Sequence, residues 1–238
     1  MPGTTQVIDI AGLRKQYGGL RPLRLNALAV APGERVTVRG LDAEAAEMLM
    51  LIITGASLPD EGVVRIAGRD TRAIATDTDW LASLDVFGMV TARAVLLDSL
   101  ALEANLALPL TLSVDPIPPD VRGVVTALAL EAGLDVAALS RQVSTLSEAD
   151  RVRVHLARAL ALDPQVLLLE HPTARLTPDE ASAFGRQLSE IGDRRKLAWL
   201  ALSDDGAFAT AAGGRRCELI PASGEIREKA KRAWGRLW

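Results

Sequence analysis

Apolar and polar residues alternate from Val7 to Arg14, the period-two pattern of a strand with one face in a core. A second strand-like run, Arg24 to Val30, stops at the turn Ala31-Pro32-Gly33-Glu34. The short β-branched strand Arg35 to Arg39 follows and is closed by Gly40. Past that glycine the period changes. Ala45, Met48, Leu49, Ile52 and Ile53 share one face of a helix predicted over Leu41 to Ile53. The turn Pro59-Asp60-Glu61-Gly62 leads into a strand from Val63 to Ile66. Residues 85–150 are rich in Leu, Ala and Val and are broken by Pro109, Pro116, Pro118 and Pro119, which predicts an inserted helical lobe. Beyond it the pattern gives a helix over Asp150 to Leu162, an apolar strand Val166 to Leu169, a helix over Thr177 to Ile191 and an apolar strand Leu197 to Leu202. Buried strands alternating with helices predict an α/β fold with a largely parallel sheet covered on both faces.

Composition narrows the class. At roughly 150 residues per domain, a chain of 238 residues is one large domain, and the whole of 1–238 is read that way. A mean hydropathy of +0.18 with 24% charged residues excludes intrinsic disorder. No uncharged stretch reaches the roughly 18 to 20 residues of a membrane span, and Met1 to Asp9 lacks the regions of a signal peptide. The lone Cys217 fits a reducing cytosol. With His155 and His171 it makes no zinc spacing, so no metal is expected. A net charge of −3 argues against nucleic acid as a partner. Lysine is confined to Lys15, Lys196, Lys229 and Lys231, so the 180 residues from 16 to 195 contain none.

The strand ending at Gly40 and running into a helix is where a phosphate-binding loop belongs, with its Gly, four residues, then Gly-Lys-Ser/Thr. Here those last positions read Ala45, Ala46 and Glu47. Tyr17 lies 23 residues before Gly40, and Leu146-Ser147-Glu148-Ala149-Asp150 precedes the helix Arg153-Val154-His155-Leu156-Ala157-Arg158-Ala159-Leu160. The apolar run Val166 to Leu169 then ends in Glu170-His171-Pro172-Thr173. This order resembles the ATPase subunits of ABC transporters over nearly the whole chain. The segment Asn105-Leu106-Ala107-Leu108-Pro109-Leu110 is most like the lipoprotein-release and macrolide-export branch. The resemblance implies a P-loop-NTPase-like nucleotide-binding domain: a mainly parallel sheet, an antiparallel N-terminal β part and an inserted α-helical lobe.

The same resemblance sets the site residues against the family's motifs. Ala46 stands at the loop lysine, Glu47 at the magnesium-binding hydroxyl and Ala45 at the last loop glycine, with Glu44 beside it. Ala92 stands at the magnesium-contacting glutamine, Glu148 and Ala149 at the signature glycines, His171 at the general base and Asp204, before Asp205, at the switch histidine. Ala174-Arg175-Leu176-Thr177 replaces the dimer-contact segment Ser-Ala-Leu-Asp. Tyr17, Gly40, Ser147 and Glu170 are the remnants: the adenine-stacking aromatic, the first loop glycine, the signature serine and a metal-directed carboxylate. A carboxylate about 4 Å from a phosphate charge is repelled by roughly 4 kcal/mol at an effective dielectric of about 20. The helix dipole returns only about 0.3 to 1 kcal/mol. On that arithmetic the chain is expected to be a degenerate, non-catalytic subunit that binds neither ATP nor magnesium.

Such a subunit is expected to pair with an active ATPase and to dock on a membrane permease at the cytoplasmic face, through the groove around Ala92 and the helical lobe. A soluble scaffold or regulator that dimerises through the former ATPase interface is the alternative. At the C-terminus Ile226, Ala230, Trp234 and Trp238 recur at spacing four, and 225–238 carries a net charge of +3. This predicts a basic amphipathic helix, with membrane-surface contact through Arg227 to Trp238 or packing on its own domain as the two readings.

Overall fold

The structure, a computed structural model, describes residues 5–91 and 93–229. In chain order the elements are β1 (Ile8–Lys15), β2 (Leu23–Val30), β3 (Arg35–Arg39), α1 (Ala43–Ile53), β4 (Glu61–Ile66), β5 (Arg69–Asp70), α2 (Asp77–Leu84) and β6 (Phe87–Thr91). They continue with α3 (Leu102–Ala107), α4 (Pro119–Glu131), α5 (Glu148–Leu160), β7 (Val166–Glu170), α6 (Pro178–Arg195), β8 (Ala198–Leu202), α7 (Gly206–Ala212), β9 (Arg215–Ile220) and β10 (Glu225–Glu228).

The two kinds of hydrophobic pattern form two sheets. The alternating strands build an antiparallel sheet in the order β2-β1-β4-β5, with Ile8 opposite both Val30 and Ile66. The continuous apolar runs lie inside a second sheet, β10-β9-β3-β8-β7-β6, whose strands are parallel except for β10. Every residue of β7 and β8 is buried. Val166 and Leu168 face a core shared with α1 and the antiparallel sheet. Leu167 and Leu169 face a core shared with α4, α5 and α6. Two covered faces explain why these strands show no alternation. The sheets are tied where the Asn26 N–H donates to the Gly224 carbonyl at 2.7 Å.

Two sequence expectations are corrected. Phe87–Thr91 falls within the 85–150 segment read as helical, yet it is the edge strand of the parallel sheet, paired with β7 from Phe87–Val166 to Thr91–Glu170. The apolar content that suggested a helix there serves a strand on the core. Glu225–Glu228 is likewise no helix: β10 pairs antiparallel with β9, and the Arg227 guanidinium closes on Glu225 two residues away, on the same face of the strand. The remainder of the predicted C-terminal helix, 230–238, lies outside the described residues.

Helix α5 is placed by Ser147, whose hydroxyl accepts the Asp150 N–H at 3.1 Å as an N-cap. Its His155 is held at a pKa of about 4, first by burial and then by the Arg158 and Arg151 guanidiniums. The imidazole is therefore neutral in the fold, whereas the unfolded chain takes up a proton below about 6.5. The unfolded state binds more protons between those two values, so stability falls as pH drops from 6.5 to 4. Urea unfolding midpoints across that window check this. The native chain is expected to lose more stability than His155→Gln, and parallel curves would contradict the assignment.

Candidate functional site

Gly40 ends β3 at φ +90°, and a Cβ there would stand 2.5 Å from the Leu219 carbonyl oxygen, so only glycine makes this turn. The turn aims the chain into α1, whose N-terminus carries the partial positive charge and free N–H groups of any helix start. In this protein carboxylates meet those donors. Asp42 is the N-cap and its Oδ1 accepts the Ala45 N–H at 2.8 Å. Asp204, from the loop after β8, accepts the Gly40 N–H at 2.9 Å. Ala46 is fully buried in the core beneath, with its N–H bonded to the Asp42 carbonyl.

One turn along, Glu47 is not a bare charge. The Arg93 guanidinium, two residues past β6, pairs through Nη1 with Glu47 and through Nη2 with Glu170 Oε2 at 2.6 Å. Glu170, at the end of β7, is 8% exposed and also accepts the Thr91 hydroxyl at 2.7 Å. Thus α1 and β7 each deliver a carboxylate to one guanidinium, while the Thr91 hydroxyl, at the end of β6, accepts the Arg93 backbone N–H at 3.2 Å. Arg93 was not singled out by sequence. Its partners lie 46 and 77 residues away, and the absence of any lysine between 16 and 195 signals only that a cation at this site would be an arginine.

On the other side of the loop lies a cleft of about 660 Å³, lined by Tyr17, Leu20, Gly40, Asp42, Ala45 and neighbouring residues. Burial and the nearby Asp42 and Glu44 carboxylates raise the Tyr17 hydroxyl above its ordinary pKa, so the ring sits beside the loop. Tyr17, Gly40 and Ala45 are therefore brought together. Ser147 and Glu148 are elsewhere: the Ser147 hydroxyl donates back to Asp150 at 2.9 Å, and Glu148 faces Arg175 at 3.7 Å. Ala149 is buried. A second cavity, about 270 Å³, is lined by Glu148, Arg151, Arg175 and both histidines. His171 stands at φ +41°, its N–H donating to the Leu202 carbonyl at 2.8 Å and its Nε2 buried without a hydrogen-bond partner. Asp205 caps α7 and accepts the Thr173 hydroxyl. Ala92 lies outside the described residues.

The donor set fits a nucleotide in kind: a helix N-terminus, an aromatic ring at the cleft wall, a guanidinium and a half-buried carboxylate pair. Phosphate oxygens would meet the Gly40 and Ala45 N–H groups only where Asp204 and Asp42 release them. Among the described residues no three His, Cys, Asp or Glu side chains converge. Magnesium ordinarily takes only one or two protein carboxylates, and otherwise phosphate and water. Glu170 and Glu47 are the residues that would hold it.

Comparisons with known proteins agree with this architecture. The family model for ABC transporters matches residues 26–174. The lipoprotein-releasing system ATP-binding protein LolD of Pseudomonas syringae pv. tomato is 30% identical over 182 residues, 76% of this chain and 79% of the relative. LolD of Anaeromyxobacter dehalogenans is 28% identical over 223 residues, 92% of this chain and 91% of the relative. The methionine import ATP-binding protein MetN of Brucella abortus is 28% identical, covering 84% of this chain and 53% of the relative. The bacterial ABC transporter cassette MJ0796, solved as a dimer, superposes with a TM-score of 0.76 at 23% identity, covering 95% of this chain and 99% of that one.

These relatives are named as ATP-binding proteins, and that finding overturns two expectations. A subunit that is no enzyme and takes neither ATP nor magnesium is not what the matches support. The repulsion arithmetic was also incomplete: it counted Glu47 as unpaired, whereas Arg93 stands against it. The fold, the strand–glycine–helix turn and the family match over more than half its length lead to one conclusion: this chain belongs to the ABC transporter family, as a nucleotide-binding subunit with the ABC cassette fold.

Proposed function

We propose that the chain binds Mg-ATP in the cleft between Tyr17 and the start of α1, and that it energises a membrane permease as one half of a pair of ABC subunits. The observation that carries this reading is the meeting of Tyr17, Gly40 and the N-terminus of an 11-residue helix in one cleft, in a chain whose relatives are ATP-binding subunits. In the paired state this chain's α1 end and the partner subunit's signature segment enclose one nucleotide, and Ser147 to Asp150 faces the other. The residues Ala45, Ala46, Glu47, Glu148, Ala149, His171 and Asp204 at the motif positions set how tightly each nucleotide is held. The dimeric cassette that this chain resembles supports pairing.

Docking on the permease is assigned to the segment from β6 to α4. Large apolar side chains stand exposed there: Val95 at 70%, Leu112 at 92% and Leu130 at 61%. Among the described residues no helix is long and apolar enough to cross a membrane. LolD, named for lipoprotein release, is matched over more of its own length than the methionine importer MetN, which favours a lipoprotein as the substrate.

Two measurements test this. Millimolar Mg-ATP is expected to raise the melting temperature of the purified chain, since a ligand at 100 times its Kd stabilises by about 2.7 kcal/mol. An unmoved melting curve would count against nucleotide binding. Affinity purification of the tagged chain from detergent-solubilised membranes is expected to recover a polytopic permease with an ABC ATP-binding subunit. Recovery of the chain by itself, from the membrane-free fraction alone, would overturn the transporter reading.

A further inference from the structure

Among the charged clusters away from the α1 loop itself, the one joining Arg93 to Glu47 and Glu170 has the most to explain. Loop positions 45 to 47 carry no cation, and no lysine occurs between residues 16 and 195. A polyphosphate seated at the start of α1 needs a positive partner beyond the amide donors. Arg93 is the guanidinium already in contact with that helix one turn in, through Glu47, the residue next to Ala46. It reaches there from the end of β6, a rigid sheet strand, with its side chain 40% exposed and so open to solvent on one side.

We infer that Arg93 is the phosphate-binding cation of this chain, substituting from the β6 end for the missing cation of the α1 loop. In the nucleotide-free arrangement the guanidinium is parked between two carboxylates. Glu47 is half-exposed, so its hold on Arg93 is of the weak, solvent-screened kind. Glu170 is nearly buried and keeps the Thr91 hydroxyl as a second partner, so it is not left bare when Arg93 turns. A planar guanidinium offers paired N–H donors that match phosphate oxygens better than an ammonium does. With the cation released from Glu47, that carboxylate and Glu170 are free for the divalent ion that accompanies the phosphates. The arrangement thus uses the same guanidinium as counter-charge in the empty state and as ligand in the loaded one.

This inference rests on the nucleotide-binding reading above, and the test separates the two. Calorimetric titrations of the full chain with Mg-ATP and with AMP are compared for the native protein, Arg93→Met and Arg93→Lys. Melting curves without nucleotide confirm that each variant folds, and Arg93→Gln replaces the Met variant if that one does not. The expected result is at least a tenfold loss of Mg-ATP affinity in Arg93→Met, partial recovery in Arg93→Lys and little change for AMP, because the cation addresses the terminal phosphates. Unchanged Mg-ATP affinity in Arg93→Met would overturn the inference while leaving nucleotide binding in place. Equal losses for ATP and AMP would also overturn it, by making Arg93 a structural residue of the cleft. A native chain that binds neither nucleotide would overturn both readings together.

Discussion

The start of α1 is a positive end of a helix that the protein meets with its own carboxylates. Asp42 holds the Ala45 N–H and Asp204 holds the Gly40 N–H, so the turn from sheet to helix is closed by side chains from both flanks. The turn depends on a left-handed Gly40 packed against the Leu219 carbonyl, which fixes β3, β9 and α1 relative to one another. One residue further into the sheet, Arg39 pairs with Glu218, and Lys229 closes on the same carboxylate.

Such pairing changes how the acidic loop is understood. Counted along the sequence, Glu44 and Glu47 repel any phosphate. Counted in space, Glu47 belongs to a cluster with Arg93 and Glu170, so part of that repulsion is offset before a ligand arrives. The cost of binding shifts from overcoming bare negative charge to breaking short side-chain contacts, several of them solvent-exposed. The exposed pair with Glu47 is worth about 0 to 1 kcal/mol, small beside the affinity of a nucleotide at micromolar Kd, about 8 kcal/mol.

Legibility in the sequence followed burial. Strands β7 and β8 were readable because both faces are covered and the run is apolar throughout. Strands β1 and β2 were readable from their alternation, and α1 from its spacing beyond Gly40. Strand β6, at the edge and containing Gly88, carries neither signature and was absorbed into the helical segment. Strand β10 was misread because Ile226 and Ala230 mimic helical spacing, while the pairing with β9 that decides its conformation is a contact between segments. In the site, Tyr17, Gly40 and Glu170 were found by position in the family's order of motifs. The carboxylate caps and Arg93 were not, since each acts through a partner that the linear sequence places far off.

Because Asp42 and Asp204 hold the Ala45 and Gly40 N–H groups, a nucleotide seated on the loop is expected to displace them. The most direct measurement is the amide resonances of Gly40 and Ala45 in an isotope-labelled chain titrated with Mg-ATP. The account predicts that both shift along with the filling of the site, together with the Arg93 side-chain signals. Saturable Mg-ATP binding that leaves the Gly40 and Ala45 amides unmoved would contradict it.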